Sequence, residues 1–231
     1  MKTRVITLEN NEVSKKATDV LINSSVAHGN DFEIEPLYAV TPEQVPMIMN
    51  ANMFQWSYPI DGVRDDFATG MHLKAYPTQN IDRRIACFLS HWLCWKQAVE
   101  TNEAVLVLEH DAIFIGKFDP QEALDSKFGA IGINDPRGAT RRSQEYHKIV
   151  ETFSQPIQQV PAIDEFNIPQ GMAGNSAYII KPALAKSVID KFKEIGMWPN
   201  DALLCKQLFP MIGQSKTYYT TVQGTESTTS L

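Results

Sequence analysis

The chain of 231 residues is 43% hydrophobic and 21% charged, enough apolar material for one substantial core. Its formal net charge of −6 excludes a broad basic face for nucleic acid, so any phosphate must be met locally by Arg, Lys or a metal. Met1 to Leu8 holds no apolar stretch long enough for a signal peptide or a membrane span, and the expected location is the cytoplasm.

Val5 to Leu8 predicts a first strand, and Val13 to Val26 a helix packed back over it, the opening of an α/β unit. A second strand is expected at Phe32 to Val40, followed by Thr41 as a cap and Pro42 in the first turn of a helix. Residues 50 to 80 lose periodicity. They carry Phe54, Trp56, Tyr58, Asp65, Asp66, His72 and Tyr76 and read as a long excursion over the surface, with Trp56 and Tyr58 suited either to stacking on a sugar or to a minor core. Helical spacing returns at Ile85, Phe88, Leu89, Trp92, Trp95 and Val99.

Ala104 to Leu108 is an unbroken apolar run, the pattern of a central strand covered on both faces, and it ends abruptly in Glu109, His110 and Asp111. Further strands fit Phe128 to Ile133, Ser176 to Ile180 and Tyr218 to Val222. Helices fit Pro182 to Phe192 and Asp201 to Phe209. One domain is expected over residues 1–223, with 224–231 a polar, frayed tail. Cys87 and Cys94 lie two helical turns apart, roughly 10 Å, too far for a disulfide.

In an extended chain alternate side chains share a face, so Glu109 and Asp111 are expected to point one way and His110 the other. Their Cα atoms would lie about 6.6 Å apart, and two such charges repel by roughly 2.5 kcal/mol at an effective dielectric of about 20. A cation is expected beside them. A hard divalent ion suits the oxygen ligands and bridges to phosphate, and solvation or pairing with Arg accounts for the triplet equally well.

The wider stretch discriminates further. Ile85, Ala86, Cys87, Phe88, Leu89, Ser90 and His91, then Trp95, then Val105 through Asp111 and Ala112 resemble the signature of glycosyltransferase family 25, a Gly-Cys-x-x-Ser-His helix followed by a hydrophobic strand ending in Glu-Asp-Asp. Weaker similarity covers Gly174 to Ile180 and a Pro-x-Asp-like element at Pro199, Asn200 and Asp201. Ala86 stands where the family has Gly, His110 where it has the middle Asp, and the first-strand Arg has no clear counterpart among Lys15 and Lys16.

The resemblance implies an α/β, GT-A-like fold, with a mixed, mostly parallel sheet flanked by helices as a Rossmann-like nucleotide-sugar core. It also implies inverting transfer from a UDP-sugar, commonly UDP-galactose, to a glycan or other hydroxyl acceptor. Manganese or magnesium would be held by Asp111 with Glu109 or His110. Asp201 is the candidate base, with a helix-capping role as its structural alternative. His91 is expected to shape the donor site; Ser90 falls opposite the apolar stripe. Arg84 is the preferred diphosphate contact among Arg83, Arg84, Arg137, Arg141 and Arg142. Asn134 and Asp135 leave a neighbouring strand toward nucleotide or acceptor, and the small-residue turn Gly171 to Asn175 would let substrate approach the backbone. A nucleotide-sugar-binding homologue without turnover is the second reading, motivated by His110 and Ala86, and a metal phosphohydrolase the third.

Overall fold

The computed structural model describes residues 1–76, 78–138 and 142–224. The predicted tail beyond Gly224 and the candidate Arg141 lie outside the described residues.

Strand β1 (Lys2–Thr7) leads into helix α1 (Glu12–Ala27), which starts where the Asn11 Oδ1 accepts the Ser14 N–H at 2.9 Å. Strand β2 (Glu35–Tyr38) follows, then a 3₁₀ turn at Pro42–Gln44 with a Thr41/Gln44 capping box and helix α2 (Val45–Asn52). A hairpin of β3 (Val63–Asp66) and β4 (Met71–Lys74) precedes the long helix α3 (Ile81–Thr101). Asn80 caps α3 at its start, and Asn102, at φ 52°, ends it in the left-handed conformation. Next come β5 (Val105–Glu109), β6 (Ala112–Phe114), α4 (Gln121–Asp125), β7 (Ala130–Gly132), α5 (Ser143–Glu151) and β8 (Ile157–Gln159). The chain closes with β9 (Ala177–Ile180), α6 (Pro182–Ile195), α7 (Asn200–Leu203), β10 (Ile212–Ser215) and β11 (Thr220–Val222).

Seven strands form one sheet in the order β2-β1-β5-β9-β7-β10-β8. β1 is parallel to β2 and β5, β9 is antiparallel to β5 and β7, β10 is parallel to β7, and β8 is antiparallel to β10. Five strands therefore run one way and β9 and β8 the other, the mixed, mostly parallel sheet that the resemblance implies. Alternation along β5 divides the core. Val105 and Val107 face a layer built from α3 and α6, whereas Leu106 and Leu108 face Leu21 of α1 and Phe114. All four are fully buried.

Three differences from the sequence pattern have physical causes. β1 begins at Lys2 because its pairing with Val105 to Val107 continues past the apolar residues, with Arg4 ion-paired to Glu35 and bonded to Gln97. The start of the aperiodic segment, residues 54–58, is anchored rather than draped. Phe54 packs edge-on against Trp92 and Phe192, at 5.1 and 5.0 Å between centroids, and Tyr58 packs against Trp198. The segment after Arg142 carries no predicted element, yet α5 forms there because Tyr146, Val150 and Phe153 bury a small cluster of their own.

The turn before β9 is tight for a structural reason. A Cβ on Gly171 would collide with the Leu204 carbonyl oxygen and come within 3.1 Å of the Asp201 carbonyl, so only glycine lets this loop lie against α7. At Gly171 the small residue serves the tight loop, the other use its composition allows, by letting the backbone lie against α7. Gly171→Ala should cost about 1–3 kcal/mol through overpacking against backbone, seen as a lowered Tm. An unchanged Tm would show the contact to be elastic.

Candidate active site

The carboxyl ends of β1, β5 and β7 and the beginning of β9 meet at one edge of the sheet, the edge where open α/β sheets bind ligands. Glu109 is the last residue of β5, and its N–H donates to the Ser176 carbonyl at 2.8 Å. Helix α3 turns Arg84, Cys87 and His91 toward this edge, a spacing of three and four residues that keeps them on one helix face. Between them lies a cavity of ≈ 90 Å³, lined among others by Ile6, Val40, Cys87, His91, Glu109 and His110.

Strand geometry stops at Glu109. His110 and Asp111 form the turn into β6, so the expected same-face alternation of Glu109 and Asp111 does not extend to Asp111. This turn is tied down from the far end of the chain. The Gln223 N–H donates to the Asp111 carbonyl at 2.7 Å, and its side-chain amide donates to the carbonyls of His110, Ala112 and Ala17. Gln223 follows β11, which pairs with β6.

Three carboxylates converge here. Burial raises the Glu109 carboxyl, but the His91 hydrogen bond, at 3.0 Å to Oε1, and the electrostatic pull of the neighbouring imidazoles more than offset it and hold Glu109 below its ordinary pKa. Burial and then the Glu109 charge push Asp111 up to about 7, and the buried Asp111 Oδ1 has no hydrogen-bond partner. Asp201 stands at the rim. Crowding by protein raises its pKa, opposed first by Arg84, and its Oδ1 accepts the Ala202 N–H at 3.0 Å. Burial, and then the Asp201 charge, push the Tyr76 hydroxyl well above its ordinary pKa, and the Arg84 guanidinium lies 5.1 Å over the Tyr76 ring.

Cys87 senses all of them. Burial raises its thiol well above the ordinary value, reinforced by Glu109, Asp201 and Asp111 and opposed by Arg84. Its sulfur, a His91 ring nitrogen and a Glu109 oxygen lie within 4.8 Å of one another. The thiol is nevertheless protonated and the His91 Nε2 is engaged by Glu109, so this trio is not a ready-made soft-metal site. The orphaned Asp111 oxygen, next to the strand-end carboxylate Glu109, does fit a hard divalent cation, and Arg83 lines the cavity beside Glu109 as a further cationic group. His110 is kept neutral by burial, against the pull of Glu109 and the Ile6 carbonyl, and neutral imidazole is the form that ligates.

A model of glycosyltransferase family 25, described as an LPS biosynthesis protein family, matches residues 59–204 of the chain. The protein belongs to glycosyltransferase family 25. No curated protein matches the sequence. Similar solved structures include galactosyltransferase LgtC in complex with donor and acceptor sugar analogues, at 15% identity over 93% of this chain and 73% of that one, with a TM-score of 0.42. Mouse xyloside xylosyltransferase 1, apo form, is similar at 8% identity over 91% and 83%, TM-score 0.43. The apo bifunctional glycosyltransferase WbbM is similar at 12% identity over 94% and 38%, TM-score 0.44.

Within this family 25 glycosyltransferase the sequence candidates separate into two groups. Arg83, His91, Glu109 and His110 line one cavity, and Arg84, Asp111 and Asp201 act on Cys87 in its wall through their charges. Ser90 lines the same cavity, but it is 1% exposed rather than opposite the apolar stripe, and its hydroxyl is spent accepting the Val40 N–H and donating to the Ala86 carbonyl. Asn134 and Asp135 leave β7 at the same sheet edge, yet Asn134 is bonded to Thr220 and the Asp135 carbonyl, and Asp135 is chelated by Arg137. Arg142 is held by Glu145 and Asp164. Asp201 is not the cap of α7, since Pro199 occupies that position, and α7 ends at Leu203 instead of running to Phe209.

Sequence reasoning gives Tyr178 no role at the site and names Tyr76, Cys87 and Asn175 only within a loop, a signature and a turn. The Asn175 amide is buried with neither polar atom partnered, as is the Ser176 hydroxyl. Both sit beside the end of β5. Only the small-residue turn before β9 hints at them.

An aspartate ionises near 3.8 in the unfolded chain and near about 7 here, so between those values the unfolded state binds fewer protons and stability falls as pH rises. Asp111→Asn should therefore melt above the parent in chelator at pH beyond 7, with the gap narrowing toward pH 3.8. Manganese should close it by stabilising only the parent. A gap independent of pH would trace the difference to some other interaction.

Proposed function

We propose that this glycosyltransferase transfers a hexose, with galactose the sugar implied by the family resemblance, from a UDP-sugar to a hydroxyl of a glycan acceptor, inverting the anomeric centre. The observation that carries this reading is the family 25 match over residues 59–204 together with the strand-end Glu109 and the buried, unpartnered oxygen of Asp111 that follows it. Such a pair of carboxylates attracts a cation and, through it, a diphosphate.

Asp111 and Glu109, with His110 as a nitrogen ligand, would hold manganese or magnesium, which when bound neutralises the diphosphate and the charge developing on the leaving group. Arg84 lies on the same helix face and adds a planar, bidentate donor for phosphate. Asp201 takes the proton from the acceptor hydroxyl as its oxygen bonds to the anomeric carbon and the bond to the nucleoside diphosphate breaks. A carboxyl whose pKa is raised by crowding is closer to the strength a general base requires. Tyr76, with the Arg84 guanidinium 5.1 Å over its ring and its hydroxyl in the field of Asp201, stands in contact with the phosphate donor and within reach of the charge of the base.

A panel of nucleotide sugars scored by thermal shift, with and without manganese, should show selective manganese-dependent stabilisation by one donor. Asp111→Ala should abolish that dependence and the transfer. Asp201→Asn should retain donor-induced stabilisation while losing roughly 10²–10⁴-fold in kcat, the usual worth of a general base. Near-normal turnover by Asp201→Asn would remove it from the base role, and donor binding without any transfer or hydrolysis would leave a binding protein.

A further inference from the structure

Behind Glu109 runs a chain of buried polar atoms that the reaction itself does not require. The Trp95 Nε1 is 2.8 Å from the Tyr178 hydroxyl, that hydroxyl is 2.8 Å from the His91 Nδ1, and the His91 Nε2 is 3.0 Å from the Glu109 Oε1. Trp95 and Tyr178 are fully buried and His91 is 1% exposed. The elements supply these groups in register. Trp95 and His91 are four residues apart on α3, and Tyr178 on β9 pairs with Val107 on β5, two residues before Glu109.

The direction of each hydrogen bond follows from the chemistry of the groups. Indole can only donate, so the Tyr178 oxygen accepts from Trp95. The phenolic proton is buried and needs an acceptor, and among the described residues the remaining polar atom at bonding distance is the His91 Nδ1. Nδ1 therefore accepts, the ring carries its proton on Nε2, and that proton is donated to Glu109, which when ionised can only accept. The opposite tautomer would orphan the Tyr178 proton and set the Nε2 lone pair against a carboxylate. An imidazolium would orphan the same proton.

We infer that Tyr178, aimed by Trp95, is a positioning residue that fixes His91 as its Nε2–H tautomer and thereby holds Glu109 Oε1 in place, leaving Oε2 available to a ligand. The donors all point one way, from Trp95 through Tyr178 and His91 to Glu109, so each bond polarises the next. The His91 and Tyr178 rings lie nearly parallel, at 10°, which restrains the imidazole from rotating out of the chain. Only the task given to Glu109 rests on the proposed transferase reading; the tautomer stands without it.

The test is ¹⁵N NMR of the histidine rings in the metal-free full chain, with the His91 signals assigned by their loss in His91→Gln. The expected wild-type spectrum shows neutral His91 protonated on Nε2, and Tyr178→Phe should convert it to a mixture of tautomers. In the transfer assay Tyr178→Phe should raise the half-saturating manganese concentration by about tenfold or more, as loss of an outer-shell partner does, with a smaller change in kcat. A wild-type His91 protonated on Nδ1, or doubly protonated at neutral pH, overturns the inference. So does a Tyr178→Phe protein with an unchanged His91 spectrum. If Tyr178→Phe does not fold, the wild-type spectrum alone decides. A protein that shows the expected tautomer and transfers no sugar keeps the inference and fails the transferase reading.

Discussion

A carboxylate at the end of a strand covered on both faces must be compensated, and Glu109 is met by the buried His91 ring at 3.0 Å rather than by an Arg or Lys. A permanent Arg partner would have cancelled the charge; a neutral donor stabilises the carboxylate while leaving its negative potential in place. That potential reaches Asp111, Asp201 and Cys87, raising the pKa of each. The acidity of the site is thus one coupled property of β5, α3 and the β5–β6 turn, and it predisposes this edge to bind a cation.

The layers follow from the same arrangement. α3 contributes its apolar stripe to the core beside α6, and one further face, through Arg84, Cys87 and His91, to the site. Because these faces share a helix, the packing of Trp92 against Phe54 and of Phe88 against Phe192 sets the rotation that presents His91 to Glu109. Residues 54–58 belong to this clamp, which explains why a segment without periodicity is well packed.

What was legible in the sequence was whatever depends on local pattern. The apolar run from Val105 to Leu108, the helical spacing from Ile85 to Val99 and the acidic triplet were visible because burial on two faces, or along one stripe, leaves a periodic trace. The turn at His110 and Asp111 left none, since it is imposed by Gln223 more than a hundred residues later. Tyr178 and Trp95 read as core aromatics, which they are; their polar atoms matter only once β9 is known to lie beside β5. Asn134 and Asp135 were placed at the correct sheet edge, but their partners Thr220 and Arg137 satisfy them there. The substitution of His110 for an acidic residue also changes meaning, because burial keeps its imidazole neutral and therefore able to ligate.

The Gln223 clasp has a consequence for how the protein is made. A chain emerging from the ribosome has β1, α3 and β5 in hand first, and β9, which brings Tyr178 to His91 and Ser176 to Glu109, well before residue 223 appears. The β5–β6 turn cannot reach its final shape until β11 arrives to pair with β6 and Gln223 closes over the carbonyls of His110, Asp111 and Ala112. The acidic centre is therefore completed last. An unfinished chain carries the core of the enzyme without its fully shaped cation site.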